Sequence, residues 1–182
     1  MFNLNTIIIV TLVFFGFMFI SSSLSKMMNF SHHVKTIHAY QVLPDNLVGK
    51  FAKIDVALEI IIGVGLLTLH FSSLFLIMSA CLLTVYTIAI GINLFRGRID
   101  IDCGCGGIVG ENKISYKLIA RNIILVILMA LSLIYVQNSS VSFSEVYVIS
   151  LLMVIQIFYV MKSISKIKSF KQHYESLGGN YE

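Results

Sequence analysis

The chain has 182 residues, of which 57% are hydrophobic and 12% charged, and its formal net charge is +4. The charged share is about half the roughly 25% of soluble domains, and the mean hydropathy is +0.89. A soluble domain of this length has too little interior for so much apolar surface, so lipid is its expected solvent. The positive balance reads as basic loops against an anionic leaflet rather than a nucleic-acid surface, and three cysteines are too few for a secreted disulfide framework.

Five apolar stretches are candidates for crossing a bilayer, which takes about 17–25 helical residues. The first, residues 4–24, has no basic n-region and no small-residue cleavage site, so it is expected to be a retained span rather than a signal peptide. Residues 25–46 mix Met27, Met28, Phe30, Val34, Ile37, Tyr40, Val42 and Leu43 with His32, His33 and His38 and two lysines. Apolar spacings of three and four there predict an amphipathic helix lying in the interface, ended by Pro44. The second span is expected at 47–69, with Asp55 and Glu59 inside it, the third at 73–95, the fourth at 118–136 and the fifth at 146–162. Residues 163–182 form a polar, basic C-terminal tail. The expected fold is therefore all-α: a polytopic membrane helix bundle over residues 1–162, of about five transmembrane helices plus an interfacial amphipathic helix. Helices satisfy their own backbone in hydrocarbon, and the alternating pattern of a membrane barrel is absent.

The basic residues set the expected orientation. Lys26, Lys35, Lys50 and Lys53 lie between or beside spans one and two. Arg96, Arg98, Lys113, Lys117 and Arg121 lie between spans three and four, and Lys162, Lys166, Lys168 and Lys171 follow span five. With five spans these clusters share one side, the cytoplasmic one, with the N-terminus outside and the C-terminus cytoplasmic.

The chemistry-bearing motif is Asp102-Cys103-Gly104-Cys105-Gly106-Gly107, between spans three and four. Two cysteines flanking one glycine can close a disulfide if the backbone bends, and such a small ring is more easily reduced than a relaxed bridge. Arg96, Arg98 and Arg121 would favour the reactive thiolate, and Asp100 and Asp102 would oppose it. The leading reading is thiol–disulfide exchange with Cys103 and Cys105 as the catalytic pair. A metal or cluster site completed by His32, His33 or His38 is a second reading, weakened because two thiolates supply half of a tetrahedral site; an inert pair is the third. Asp55 and Glu59 share a helix face, and a carboxylate in the hydrocarbon calls for an interior partner. Arg121 is the expected partner of Glu59, with Asn122 and Asn93 at similar depth. The pair either fixes helix packing or forms a polar pocket that tunes the cysteines or passes protons. Cys81 is expected to be a mid-span packing residue, and Gly63, Gly65 and Gly91 are expected to permit close helix contact.

Taken in order, Lys26 with Phe30, Tyr40, Leu43-Pro44, Glu59 with Gly63, Arg96-Gly97, Asp102-Cys103-Gly104-Cys105 and Arg121-Asn122 resemble the MauE family of membrane proteins, related to the DoxX-like group. The resemblance runs over about residues 26–131. Two positions depart from the family pattern: Gly106 stands where the family commonly has phenylalanine, and Ile54-Asp55 where it often has Leu-Pro. The resemblance implies a bacterial inner-membrane helper in disulfide chemistry, with Arg96, Gly104, Arg121, Asn122 and Glu59 supporting Cys103 and Cys105. It also implies a thioredoxin-like redox partner, a disulfide-containing client (in the family, methylamine dehydrogenase) and a quinone as a further candidate for electron transfer. A non-catalytic membrane scaffold subunit and a metal- or ion-handling protein stay open as alternatives. An exported client matures outside, whereas the charge pattern puts the thiols inside. A re-entrant loop, electron transfer across the membrane or an inverted orientation would reconcile the two.

Overall fold

The computed structural model describes residues 4–68, 72–103 and 113–138, and Val148, Leu152 and Ile155 beyond them. Five helices follow one another: α1 (Leu4–Met28), α2 (Phe30–Tyr40), α3 (Asp45–Leu67), α4 (Ser72–Phe95) and α5 (Tyr116–Asn138). At about 1.5 Å per residue, the 23 to 25 residues of α1, α3, α4 and α5 reach roughly 34–37 Å, enough for a hydrocarbon core of about 30 Å. Three of them, α1, α4 and α5, are also apolar enough to cross a membrane. The chain is a membrane protein whose elements, among the described residues, are all helices. The fourth long helix, α3, carries Asp45, Lys50, Lys53, Asp55 and Glu59. Of the expected fifth span only Val148, Leu152 and Ile155 are described, helical and exposed; the rest of it and the C-terminal tail lie outside the described residues.

The long helices run antiparallel to their neighbours. Helix α1 packs along α3, α4 along α5, and α3 joins the two pairs by packing on α4. The apolar core is Leu12, Phe15 and Phe19 of α1 with Ile62 and Leu66 of α3, Leu76 and Leu83 of α4 and Met129 of α5. Large aliphatic side chains such as Ile61, Ile77, Ile88, Ile124 and Leu131 point outward instead, as lipid solvent allows.

The α1–α3 contact is close because two glycines face each other. A Cβ on Gly63 would come within 2.8 Å of the Ile20 side chain and 3.0 Å of the Gly16 carbonyl, and one on Gly16 within 2.8 Å of Leu67. Gly65 gives the same kind of clearance to the Phe75 ring. The expectation fails at Gly91, where an added Cβ would come no nearer than 4.0 Å to its nearest neighbour, Ile119. Cys81 is exposed on α4, facing outward rather than packed inside.

The predicted amphipathic segment is α2, packed against α3 and α1 at the end of the bundle where α1 and α4 finish and α3 and α5 begin. It stops earlier than Pro44: Gln41 takes a left-handed conformation, φ 48, and its N–H bonds back to the His38 carbonyl, so Pro44 instead serves as the N-cap of α3. Helix α4 ends in a Schellman motif, with Gly97 at φ 71. The Gly97 N–H bonds to the Leu94 carbonyl and the Arg98 N–H to the Asn93 carbonyl, both at 3.0 Å. That turn launches the cysteine-bearing segment, whose base is pinched shut by an antiparallel bridge between Asp102 and Lys113 and by the Ile114 N–H on the Ile101 carbonyl at 2.9 Å.

Gly63→Ala is expected to force α1 and α3 apart. Overpacking of this kind typically costs about 1–3 kcal/mol, so the purified variant is expected to unfold at a lower temperature in detergent, while Gly91→Ala unfolds like the unsubstituted protein.

Candidate functional site

Two polar constellations occupy the α2 end of the bundle. The first lies inside it. Ser22 and Lys26 sit one turn apart on α1, and Asp55 and Glu59 one turn apart on α3, so antiparallel packing sets the two pairs face to face. The Lys26 ammonium donates to Asp55 Oδ2 at 2.8 Å, to Glu59 Oε1 at 2.8 Å and to the Tyr86 hydroxyl at 3.1 Å. All three of its protons are thereby used, and the nitrogen lies 4.8 Å from the centre of the Tyr86 ring. Ser22 donates to Glu59 Oε1 at 3.1 Å. From α4 the Tyr86 hydroxyl meets Asp55 Oδ1 in a short contact and lies 3.0 Å from Glu59 Oε1. From α2, His33 Nε2 lies 3.0 Å from Asp55 Oδ2, off the line of a regular hydrogen bond. The ionisable members from α1, α2 and α3 are sealed from solvent: Lys26 is 4% exposed, His33 6%, Asp55 2% and Glu59 1%.

This overturns the expected Glu59–Arg121 pair. The cation on Glu59 is Lys26, and Lys26 is an interior residue rather than a loop charge. Arg121 instead reaches Asn122 Oδ1 at 3.4 Å through Nη2. Asn93 and Asn122 are buried, as their depth suggested. Asn93 donates to the Ala89 carbonyl and accepts from Arg98. The three α2 histidines diverge: His33 turns into the bundle, His32 meets Asp102 at 3.2 Å and His38 meets Asp45 at 3.1 Å. Among the described residues no group of three or more His, Cys, Asp or Glu is placed to hold a metal ion.

The second constellation surrounds Cys103. Its side chain is buried in an apolar cluster of Tyr40 from α2, Ile90 and Leu94 from α4, Ile101, and Ile114 and Leu118 at the start of α5. Cys103 is disulfide-bonded and Cys81 is free; Gly104 and Cys105 lie outside the described residues. The Tyr40 hydroxyl donates to the Cys103 carbonyl at 3.1 Å. Burial above all, and then the charge of Asp102, raises the Tyr40 pKa beyond its ordinary value, so this donor keeps its proton at any working pH. The exposed Arg96 reaches across to the Gln41 carbonyl at 3.3 Å, and Lys113 pairs with Asp100 at 2.7 Å on the surface. Helix α2 thus touches both constellations: His33 enters the ion cluster, while His32 and Tyr40 hold the two residues Asp102 and Cys103.

Lys26, Tyr86, Ser22 and Tyr40 were not among the expected site residues, and His33 was expected only as a ligand in the metal reading. The available signal was spacing, since Ser22 and Lys26 share a helix face as Asp55 and Glu59 do. The partner helix across from that face is a tertiary fact.

Comparison with known proteins places these residues in a family context. Residues 4–135 match the family model described as Methylamine utilisation protein MauE. The chain is 30% identical over 113 residues to the methylamine utilization protein MauE of Paracoccus denitrificans, covering 62% of this chain and 61% of that one. It is 29% identical over 112 residues to that of Paracoccus versutus, covering 62% and 60%, and 30% identical over 105 residues to that of Methylophilus methylotrophus, covering 58% and 55%. The chain thus matches about three fifths of the length of the curated relatives. No solved structure matches.

Removing Lys26 leaves two buried carboxylates facing each other. Breaking one partner of a buried ion pair typically costs about 3–5 kcal/mol, so Lys26→Met is expected to lose most of its folded yield from membranes. Adding Asp55→Asn and Glu59→Gln to it is expected to restore much of that yield, whereas Arg121→Gln is expected to leave the cluster intact, as read by thermal unfolding in detergent.

Proposed function

The chain belongs to the MauE family, and from that membership and the setting of Cys103 we propose that it is a membrane thiol–disulfide redox protein. Cys103 and Cys105 are its exchanging pair, assisting disulfide formation or electron transfer for a client protein. The observation that carries the reading is the disulfide at Cys103, a residue whose backbone carbonyl accepts from the Tyr40 hydroxyl and whose side chain is walled by Ile101, Ile114 and Leu118. A thiolate of a partner dithiol attacks one sulfur of the disulfide, the other sulfur leaves with the bond's electron pair and takes up a proton, and a mixed disulfide forms. The partner's second thiolate then attacks its own sulfur in that mixed bond and releases the second cysteine, so two electrons and two protons pass from the partner dithiol to the pair. With a client dithiol in the partner's place the same steps oxidise the client, and run backward they reduce a client disulfide. A thioredoxin-like protein suits the partner role, and the relatives' names make a methylamine-utilisation protein the first client to test. The bacterial inner membrane is the proposed location, with a quinone as a candidate onward acceptor.

Tyr40, Arg96 and Gly104 act here as positioning residues for the cysteine segment, and Asn122, Arg121 and Glu59 as supporting residues within the bundle. The apolar setting of Cys103 shields its sulfur from indiscriminate thiols and leaves exchange to a partner that opens the segment.

Cys103→Ser and Cys105→Ser are each expected to abolish maturation of the client while leaving the protein inserted in the membrane, and the double variant is expected to be no worse, since residues acting as a unit are non-additive. The variant lacking only the resolving cysteine is expected to accumulate a reducible crosslink with its partner on a non-reducing gel. Cys81→Ala is expected to match the unsubstituted protein. Full maturation in the double serine variant would refute the redox reading.

A further inference from the structure

The ion cluster is one proton short of neutrality and one proton short of satisfying its hydrogen bonds. Among the described residues the buried Lys, Arg, His, Asp and Glu side chains are Lys26, His33, Asp55 and Glu59. With His33 neutral, one ammonium faces two carboxylates, leaving a negative charge in a membrane interior where an uncompensated ion is costly. The hydrogen-bond geometry points the same way. The Tyr86 hydroxyl lies within bonding reach of a carboxylate oxygen of both Asp55 and Glu59, yet it has a single proton to donate. Glu59 Oε2 and His33 Nδ1 are buried with no hydrogen-bond partner, and His33 Nε2 is 3.0 Å from Asp55 Oδ2.

We propose that His33, Asp55 and Glu59 together bind one exchangeable proton, with His33 its seat on the interfacial helix and Glu59 its seat inside the bundle. The groups facing the site are Ser22 and Lys26 from α1, His33 from α2, Asp55 and Glu59 from α3, and Tyr86 from α4. Lys26 uses its three protons on Asp55, Glu59 and Tyr86, so it anchors the carboxylates and is not the exchanging group. On His33 the proton makes an imidazolium that pairs with Asp55. On Glu59 it neutralises the inner carboxylate and can supply the hydrogen that the Tyr86 contact lacks. Transfer between the two seats carries a proton from the interface to the interior without changing the net charge of the cluster. The inference stands apart from the thiol reading, because it holds whether or not the cysteines exchange.

The test is proton counting on the full chain in lipid nanodiscs at neutral pH. Nitrogen NMR of labelled histidine reads the His33 imidazolium, and infrared spectroscopy reads protonated buried carboxyl. In the unsubstituted protein the two signals are expected to sum to one proton per chain. In Glu59→Gln, which removes one negative charge, His33 is expected to become a neutral imidazole. In His33→Gln the proton is expected to appear as a protonated carboxyl band that is lost when Glu59→Gln is added. A neutral His33 with no protonated carboxyl in the unsubstituted protein would overturn the proposal without need of any variant, as would an imidazolium that persists in Glu59→Gln.

Discussion

The ammonium of Lys26, shared between Asp55 and Glu59, is the interaction on which the arrangement of this bundle depends. Each charge alone would be expelled from a lipid-facing interior, so the three groups can be buried only together. Their burial requires α1 and α3 to lie antiparallel, in one register and in close contact. The Gly16–Gly63 approach makes that contact possible, since a side chain at either glycine would hold the helices apart. The apolar core around Leu12, Phe15, Ile62 and Leu66 then fills the rest of the same interface. Lipid offers hydrophobic side chains no less favourable surroundings than the protein interior does, so the polar cluster and the close glycine contact carry the specificity of pairing that a hydrophobic core carries in water.

Helix α2 connects this interior to the cysteine segment. Adjacent residues on it serve the two ends: His33 turns inward to Asp55, and His32 turns outward to Asp102. A further two turns along, Tyr40 holds the Cys103 carbonyl. The departure of α2 from the expected boundary matters here. Gln41 ends the helix in a left-handed turn and offers its carbonyl to Arg96, which ties the end of α2 to the end of α4 just before the Gly97 turn. The Cys103 pocket is therefore built by α2, the end of α4 and the start of α5, and its shape is sensitive to how α2 is seated on α3.

The all-helical class, the approximate limits of α1, α3, α4 and α5, a short helix at α2 and the prominence of Cys103 and Glu59 were legible from the chain alone, because each depends on local periodicity, length or an unusual residue in an apolar run. A carboxylate in the middle of such a run, as at Glu59, signals that a cation must be near, and that much followed from one-dimensional reading. Family membership was legible for the same reason, through motifs such as Asp102-Cys103-Gly104-Cys105 and Arg121-Asn122.

Which cation meets Glu59 was decided only by the tertiary structure. Arg121 and Lys26 both lie near the correct end of their helices, and sequence distance does not rank them. Packing does, because α1 rather than α5 runs along the Asp55–Glu59 face of α3. The same limit explains the histidines: α2 has two faces, and whether His32 or His33 enters the bundle depends on how the helix is rotated on α3. It explains Cys81 as well, whose outward position on α4 is set by which face of that helix α3 and α5 cover. Sequence determines which groups cannot remain alone in the membrane. Tertiary packing determines which of the available partners each one receives, because that choice belongs to the register and rotation of whole helices and not to any residue by itself.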